Sequence, residues 1–521
     1  MKKSKIQAVK NVLTLLLSII AVILFALLMF LQEKYTNISS EELIFYMNVS
    51  LDGANTPFIP DFFNTEKYLL IFGILFVIIA HFCIIKMFEK SFIINLKYKI
   101  GNETKKKKII VNNAIRYLFV LPILIIIYVV LMMAHQVKFD EYLYNTNHPT
   151  DIYEKYYVNP KKTEIVFPEK KRNLIYLYLE SMESTYADVP KTLVDVNNLI
   201  PNLETIAEEN VSFSDTTSLG GAHQTANVAW TVAGMVAQSG GIPLSIPSIY
   251  GNSMDRSKEF LSGAYTLGDV LEKEGYNQMF MMGSDSNFGG RLGLLTQHGN
   301  YQIYDLNTAK EKKKIDEDYF VWWGFEDSKL FEYAKEELTN LANQDQPFNF
   351  QLLTVNTHFD TGYNETTCEM KSNNVFGNSV LCSDKQVANF IRWIQQQDFY
   401  EDTTIVIAGD HLLMGETLYQ GQYNLDDRRV YNAFINPAVD PSKTKNRTFT
   451  TLDMYPSTLA SMGAEIKGDR LGLGTNLFSS KKTLAEEIGI ETLTEELKKK
   501  SDFYNEKILY PKKTTQSKQS K

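Results

Sequence analysis

Cysteine is scarce in this chain, with three residues among 521. Cys83 lies within an apolar run, whereas Cys368 and Cys382 lie close together in the later, polar part of the chain. These two could pair if that part lies outside the cytoplasm, because disulfides persist in oxidising compartments. At most one disulfide is therefore available to the polar part.

An excess of positive charge is also lacking. Lysine and arginine number 53 against 61 aspartates and glutamates, which gives a net charge of -8. This mild acidic balance argues against a nucleic-acid partner. Internal repeats are absent as well, and the ordinary overall share of hydrophobic residues, 44%, hides a strongly apolar first quarter. The length suffices for a membrane segment and one large domain.

Three apolar runs in the first quarter have the length of about 20 residues that a helix needs to cross a bilayer. They cover residues 12–31, 68–87 and 117–133. No small-residue cleavage site follows Leu31, and the first run is too long for a signal peptide. We therefore predict a membrane anchor of three transmembrane helices within residues 1–135.

The orientation of this anchor follows from its lysines and arginines. Four lysines precede the first run, and seven lysines and Arg116 lie between the second and third runs, whereas the first loop has only Lys34 and Lys67. The positive-inside rule places the amino terminus and the second loop in the cytoplasm. Everything after His135 is then predicted to be outside, in a multi-pass protein of the cell membrane.

The polar part of the chain shows alternating strand and helix patterns. Residues 136–170 are tyrosine-rich, contain three prolines and are predicted to be a linker. Within residues 171–510, strands are predicted at 174–179, 278–282, 348–355 and 403–407, with helices near 203–209, from 231, and at 266–275, 328–343 and 384–397. Such alternation indicates an α/β domain. The polar, basic tail at 511–521 is predicted to be disordered.

Carboxylates and a histidine follow two of the predicted strands. Glu180 comes directly after the apolar run 174–179, and Asp410 and His411 follow the strand at 403–407 after Gly409. Ligands of parallel sheets gather at the carboxyl ends of the strands. Glu180 alone could equally be a capping carboxylate, but together the three residues form a ligand set suited to Zn2+ or Mn2+. We predict a metal site.

A candidate nucleophile lies in the segment LGGAHQTANVAWTVAGM at residues 219–235. Glycines and small residues lead into a helical pattern at Thr231, so a threonine hydroxyl could lie near the amino terminus of a helix, where an anion is favoured. Beside a divalent cation that hydroxyl could attack phosphorus. The alternative role of a single threonine here is a helix cap.

Two further strand ends carry candidate substrate ligands. Arg291 ends the segment MGSDSNFGGR and could bind phosphate through two nitrogens, and His358 ends the segment LTVNTH and could hydrogen-bond a phosphoryl or leaving oxygen. A surface arginine and a histidine hydrogen-bonded within a loop are the alternatives. The position of both at the presumed active edge favours the functional interpretation.

With these residues in place, the chain resembles the sulfatase-fold phosphoglycerol transferases of bacterial envelopes, in particular those that modify periplasmic glucans, and more distantly the lipoteichoic acid synthases. The matching segments run from residue 173 to 478. They are LYLESMESTY (177–186), WTVAGMVAQSGGIPL (230–244), TVNTH (354–358), CSDKQVANF (382–390), the Asp410–His411 pair, LDDRR (425–429), and TLDMYPSTL through LGLGTNLF (451–478).

The resemblance implies an alkaline-phosphatase/sulfatase-like domain with a central mixed, mostly parallel sheet. It implies a cation, usually Mn2+ with Mg2+ or Zn2+ as alternatives, held by Glu180, Asp410, His411 and the nucleophilic threonine. Thr231 fits the matched segment best, and Thr225 is the second candidate because the match just upstream is less close. Arg291 and His358 are then substrate contacts. In lipoteichoic acid synthases an aromatic residue stands near the matched arginine, and here Phe288, Gly289 and Gly290 precede Arg291.

The activity implied is transfer of phosphoglycerol from phosphatidylglycerol through a phosphoglycerol-threonine ester. The acceptor is an envelope polysaccharide or oligosaccharide or a glycerol phosphate polymer, and diacylglycerol is released. One alternative is a hydrolytic sulfatase or phosphodiesterase, but none of the cysteines begins a C/S-x-P-x-R motif. Another is a phosphoethanolamine transferase, which usually carries several disulfides. A catalytically inactive scaffold is disfavoured by the apparently intact site residues.

Overall fold

The computed structural model describes residues 2–34, 38–48, 58–88, 92–100, 103–111, 120–245, 259–415 and 417–511. The described chain divides into two compact units. One comprises Met1–Thr36 and Thr56–Asp140, and the other Asn37–Asn55 and Glu141–Lys521.

Except for Pro511, the predicted disordered tail lies outside the described residues.

The amino-terminal part is mainly helical. In chain order it forms α1 (Lys2–Lys34), α2 (Ser40–Asn48), α3 (Phe58–Phe88), the antiparallel strands β1 (Phe92–Ile100) and β2 (Glu103–Val111), α4 (Val120–Gln136) and α5 (Phe139–Asn147). By length and composition, two described helices could cross a membrane, at Ala8–Lys34 and Pro60–Lys86. Helices α4 and α5, bent by 64°, add a third span if they count as one. The apolar helices are confirmed, and the number three stays a prediction.

The predicted linker, residues 136–170, contains ordered structure. Helix α5, the short helix α6 (Ile152–Tyr156) and strand β3 (Ile165–Val166) fall within it. Strand β3 pairs with a strand at residues 465–466 near the end of the large domain. The predicted boundaries at 135, 170 and 510 stay a prediction.

The large domain continues the alternation of strands and helices. Its strands are β4 (Asn173–Leu179), β5 (Asn277–Met282), β6 (Gln302–Tyr304), β7 (Phe348–Leu353), β8 (Thr403–Gly409), β9 (Asn432–Ile435), β10 (Glu465–Ile466), β11 (Arg470–Leu471) and β12 (Gly474–Thr475). Its helices are α7 (Lys191–Val194), α8 (Pro201–Glu209), α9 (Thr231–Gly240), α10 (Leu267–Lys273), α11 (Arg291–Gln297), α12 (Leu306–Glu311), α13 (Asp327–Ala342), α14 (Val375–Ile394), α15 (Met454–Ser461), α16 (Leu484–Ile488) and α17 (Ile490–Lys498).

A six-stranded sheet in the order β6-β5-β7-β4-β8-β9 forms the centre of this domain. Its pairs are parallel except for the antiparallel pair of β8 and β9. Every residue of β7 and β8 is buried, as expected of apolar strands covered on both faces. The predicted mixed, mostly parallel sheet is confirmed.

Most predicted elements lie within three residues of the observed bounds, but helix α14 begins nine residues before the predicted start at 384. The side chain of Asn374 accepts a hydrogen bond from the backbone N–H of Gly377 and caps the helix. Gly377 and the polar residues after it weaken the local helical pattern, so the first turns depend on this cap and on burial. Within α14, Cys382 forms a disulfide with Cys368, whose Cα lies 5.6 Å away.

Candidate active site

The register of two central strands brings Glu180 and Asp410 together. Strands β4 and β8 are parallel neighbours, and Leu179 is paired with Gly409. The next residue of each strand is therefore a carboxylate at the same edge of the sheet. Glu180 is 2% exposed and Asp410 is fully buried, so the two acids lie in an environment where charge is costly without a partner.

The backbone conformation of Ser181 lets this residue hydrogen-bond both acids. Ser181 has a φ of 52°, a left-handed conformation that a non-glycine residue rarely adopts. In this conformation its backbone N–H donates to Oδ1 of Asp410 at 2.8 Å, and its hydroxyl donates to Oε1 of Glu180 at 2.8 Å. At Gly409 a Cβ would lie 2.0 Å from the carbonyl oxygen of Met182, so only glycine fits there.

His411 completes a cluster of three potential metal ligands. One ligand atom from each of Glu180, Asp410 and His411 lies within 4.8 Å of the others. Nδ1 of His411 donates to the carbonyl of Leu412, which turns Nε2 toward the two carboxylates at 3.4 and 3.5 Å. Within the described chain, Nε2 of His411 and Oδ2 of Asp410 have no hydrogen-bond partner. Buried polar atoms are normally satisfied, so this donor set fits a divalent cation.

The acidity of the three groups reflects their shared burial. Burial and the charge of Glu180 raise the pKa of Asp410 to about 8. Burial also acts to raise the pKa of Glu180, but the imidazoles of His411 and His358 outweigh it and lower that pKa. Burial disfavours the charged form of His411, yet Asp410 and Glu180 raise its pKa. Without a cation, Asp410 therefore retains its proton near neutral pH.

Thr231 faces this cluster from the first turn of α9. Its hydroxyl donates to Oε2 of Glu180 at 3.3 Å. The helix is held against β8 because Gln238 donates to the carbonyls of Gly409 and Asp410 at 2.8 and 3.2 Å. Thr225 is buried, and its hydroxyl has no hydrogen-bond partner among the described residues. Thr231 lines the pocket beside Glu180, whereas Thr225 does not.

Arg291 and His358 both line the same pocket. Nε and Nη2 of Arg291 donate to the carbonyls of Phe288 and Asp285 at 3.0 and 2.8 Å, which holds the buried guanidinium in place. Nδ1 of His358 donates to the carbonyl of Phe359 at 2.7 Å. Burial lowers the pKa of His358 against the opposing effect of Glu180, so its Nε2 can accept a proton at neutral pH.

The structure adds pocket residues that the sequence analysis did not identify, Tyr46 and Trp323 among them. The rings of Trp323 and His358 lie 4.5 Å apart, and those of Trp323 and Phe288 lie 5.3 Å apart. Trp323 thus supplies an aromatic neighbour for the Arg291 loop from a distant part of the chain. Two adjacent tryptophans in a polar segment were the available signal for it, whereas nothing local marked Tyr46.

Phosphoglycerol transferases of two bacteria are similar to a large part of this chain. Phosphoglycerol transferase I of Shigella flexneri is 32% identical over 332 residues, which cover 62% of this chain and 41% of the relative. The protein of the same name from Escherichia coli (strain K12) matches with the same identity and coverage. The chain thus spans about two fifths of the length of these relatives.

Solved structures with a similar fold include the lipoteichoic acid synthase LtaP from Listeria monocytogenes. It is 18% identical, with a TM-score of 0.47 and coverage of 61% of this chain and 79% of that one. The lipooligosaccharide phosphoethanolamine transferase A (EptA) of Neisseria meningitidis is 12% identical, with a TM-score of 0.49 and coverage of 87% and 84%.

A family model supplies the classification. The model described as Sulfatase matches residues 172–464, more than half of the chain. The matched segment contains the whole central sheet from β4 to β9, together with Glu180, Thr231, Asp410 and His411. Because the match extends over both the fold and the strand ends that carry these residues, the chain belongs to the sulfatase family.

Proposed function

We propose that this protein is a membrane-anchored phosphotransferase that moves phosphoglycerol from phosphatidylglycerol to an acceptor of the cell envelope, releasing diacylglycerol. One observation carries the proposal. The hydroxyl of Thr231 lies 3.3 Å from a buried carboxylate of the Glu180, Asp410 and His411 cluster, two atoms of which lack a hydrogen-bond partner among the described residues. A nucleophile next to a cation site is the arrangement that phosphoryl transfer requires.

Glu180, Asp410, His411 and Thr231 would hold a divalent cation, Mn2+ in the first place with Mg2+ or Zn2+ as alternatives. Such a cation supplies Lewis acidity, which lowers the pKa of the threonine hydroxyl and draws charge from a phosphoryl oxygen. The chain itself orients the reactants. Helix α9 presents Thr231 at its amino terminus, where backbone N–H groups favour an anion.

The proposed first step forms a bond from Oγ1 of Thr231 to phosphorus and breaks the bond from phosphorus to the diacylglycerol oxygen. The proton lost from Thr231 is balanced by the proton that the leaving oxygen gains. In the second step an acceptor hydroxyl attacks phosphorus and the bond from phosphorus to Oγ1 of Thr231 breaks. Nε2 of His358 accepts the proton of the attacking hydroxyl, and Oγ1 of Thr231 regains a proton as it leaves. Arg291 in the pocket wall adds positive charge near the phosphoryl group.

The donor is inferred from relatives and from the helices of the anchor. The relatives at 32% identity are named phosphoglycerol transferases, and the apolar helices would hold the domain at a membrane where a lipid head group is within reach. A catalytic domain outside the cytoplasm agrees with the Cys368–Cys382 disulfide. The acceptor would be an envelope polysaccharide or oligosaccharide or a glycerol phosphate polymer.

The test is to trap the ester. The full chain in detergent is incubated with phosphatidylglycerol and Mn2+, and its peptides are analysed by mass spectrometry for a phosphoglycerol adduct. We expect the adduct on Thr231. Diacylglycerol release should fall at least about a thousand-fold in Thr231→Ala, as when a nucleophile is removed from a hydrolase.

Thr225→Ala is the matched control, since it removes the neighbouring buried hydroxyl and should retain most of the activity. An adduct on Thr225, or full activity of Thr231→Ala, would contradict the assignment. Phosphatidylethanolamine in place of phosphatidylglycerol tests the phosphoethanolamine alternative. Release of free glycerol phosphate as the main product, with an acceptor present, would indicate a hydrolase instead.

A further inference from the structure

Helix α2 lies between the first two apolar helices in the chain but belongs to the catalytic unit. Residues Asn37–Asn55 cluster with Glu141–Lys521. Ser40, Ile44 and Phe45 of α2 are at most 3% exposed. The ring of Phe45 lies 5.5 Å from that of Trp230, the residue directly before Thr231. A nine-residue helix is too short to be stable alone, so these contacts hold it in position.

The carboxyl-terminal half of α2 faces the pocket. Tyr46 lines it together with Thr231 and Glu180. Its ring is stacked on that of Phe288 at 5.9 Å with an interplanar angle of 18°. The guanidinium of Arg291 lies 5.6 Å from the centre of the same Phe288 ring. Tyr46 therefore stands at one end of an aromatic wall that runs through Phe288 and Trp323 to His358.

The same face of α2 carries Glu42, one turn before Tyr46, near the ligand cluster. Glu42 is 3% exposed, and its carboxylate lies close enough to His411 for their charges to interact. One helix from the loop between two apolar segments thus contributes to both ends of the candidate active site. Met47, with 63% exposure, is the most exposed of the described side chains on this helix.

We propose that α2 is a wall of the donor site and that Tyr46 positions the polar group carried on the transferred phosphate. This inference rests on the proposed function. When the phosphorus atom of the lipid lies within reach of Thr231, the polar group on the phosphate occupies the rest of the pocket. Tyr46, Phe288 and Arg291 line this pocket. Tyrosine offers a flat face to carbon and a hydroxyl that donates or accepts a hydrogen bond.

The charge of the wall selects the class of polar group. Aromatic faces attract ammonium groups, but the buried guanidinium of Arg291 on the same wall repels them. Because a full charge at close range in a buried site outweighs an aromatic quadrupole, the wall fits an uncharged polyol such as glycerol. Arg291 therefore makes the wall favour a glycerol head group over an ethanolamine head group, and Tyr46 positions that head group by contact.

The placement of α2 is tested without any assay of activity. Cys83 is replaced by serine in the full chain, and Tyr46→Cys is combined with Phe288→Cys. Mild oxidation of isolated membranes should link the two, and mass spectrometry of the joined peptides detects the bond. Met47→Cys with Phe288→Cys is the matched control and should not link. Failure of the first pair to link, or equal linking of both pairs, overturns the placement.

The role of Tyr46 is tested by steady-state kinetics of the full chain in mixed micelles of phosphatidylglycerol. We expect Tyr46→Ala to raise KM about 10-fold with a smaller change in kcat, since it removes binding shared by ground state and transition state. Its preference for phosphatidylglycerol over phosphatidylethanolamine should remain, since Arg291 still repels an ammonium group. Tyr46→Phe keeps the aromatic ring and should raise KM less than Tyr46→Ala does. Met47→Ala should have the same KM as the unmodified protein.

The two proposals fail in different ways. If the unmodified protein releases no diacylglycerol from phosphatidylglycerol, the proposed donor is wrong and this inference about its head group fails with it, whereas successful linking still establishes α2 as part of the pocket. If the unmodified protein is active and Tyr46→Ala keeps the KM of the unmodified protein, the role of Tyr46 alone is refuted.

Discussion

Two buried atoms, Oδ2 of Asp410 and Nε2 of His411, dominate the chemistry of the site at the scale of single residues. Both lack hydrogen-bond partners in the part of the chain described. The pKa of Asp410 is raised to about 8, chiefly by burial, and that of His411 is raised by the neighbouring carboxylates although burial opposes this. A cation that binds here must therefore displace protons.

We predict that Mn2+ affinity rises with pH up to about pH 8. Each site releases at least part of a proton on binding, since the carboxylate of Asp410 is the ligand and its raised pKa favours the protonated form below that pH. Calorimetry of chelator-treated protein in two buffers of different ionisation enthalpy measures the release. His411→Ala should lose most of the affinity. An affinity independent of pH between 6 and 8 would contradict the prediction.

His358 gives a separate pH prediction for activity. Its neutral form carries the proton on Nδ1, which donates to Phe359, and burial lowers its pKa below the usual 6.5. Because the lowered pKa extends the neutral form to lower pH, activity that needs Nε2 as proton acceptor should persist below pH 6.5. The pH profile of kcat measures this, and an acid limb centred above pH 6.5 would count against it.

Replacing His358 should lower kcat about 100-fold, the usual size of a general acid-base contribution. His358→Gln keeps a polar group of similar reach but cannot exchange a proton near neutral pH. His148→Gln is the matched control, since His148 is exposed and its ring nitrogen contacts only the carbonyl of Tyr144 among its described hydrogen bonds. Equal activity of both variants would remove His358 from the mechanism.

At the scale of elements, the position of Thr231 depends on how closely α9 approaches β8. A Cβ on Gly234 would lie 2.2 Å from the carbonyl oxygen of Asp410. The hydroxyl of Tyr176 donates to Gln238 at 2.7 Å and orients the amide that binds the end of β8. The helix cannot approach this strand end with any residue larger than glycine at position 234.

We expect Gly234→Ala to push α9 away from β8, separate Thr231 from Glu180 and reduce activity strongly. Overpacking of this kind costs typically about 1–3 kcal/mol of the free energy of unfolding. Gly293→Ala is the matched control, because a Cβ there meets its nearest neighbour at 3.5 Å and alanine favours a helix. Thermal unfolding and diacylglycerol release measure both effects, and a Gly234→Ala variant as stable and active as the control would refute the argument.

At the scale of the whole molecule, the assignment of α2 to the same compact unit as the catalytic domain constrains the number of membrane crossings. If α1 and α3 both span the membrane, α2 lies on the side opposite to β1 and β2. Yet α2 and residues 141–511 belong to one compact unit. The chain must then cross once more between β2 and residue 141, and α4 is the apolar helix available for it.

We therefore expect three spans, with α2 and the catalytic domain outside the cytoplasm. In a Cys83→Ser chain, Met47→Cys should react with a membrane-impermeant thiol reagent in intact cells. Lys106→Cys, in the lysine-rich segment between the second and third apolar helices, should react only after the membrane is permeabilised. Labelling of Lys106→Cys in intact cells, or protection of Met47→Cys there, would overturn this topology.

The sequence by itself determined the apolar helices, the alternation of strands and helices, and the strand ends that carry Glu180, Asp410, His411 and His358. Each of these depends on residues close together in the chain, where apolar runs and turn residues report directly on local structure. The carboxyl ends of parallel strands share one edge, so even the gathering of these residues followed from the pattern.

Only the tertiary structure decided the register of β4 against β8, the approach of α9 to the strand end, and the recruitment of Tyr46 and Trp323 into the pocket. The register depends on hydrogen bonds between strands more than 200 residues apart in sequence. Tyr46 reaches the pocket because Phe45, Ile44 and Ser40 bury α2 against the catalytic unit. Such contacts join segments that no local pattern relates, because the free energy that holds them comes from burial in the assembled domain.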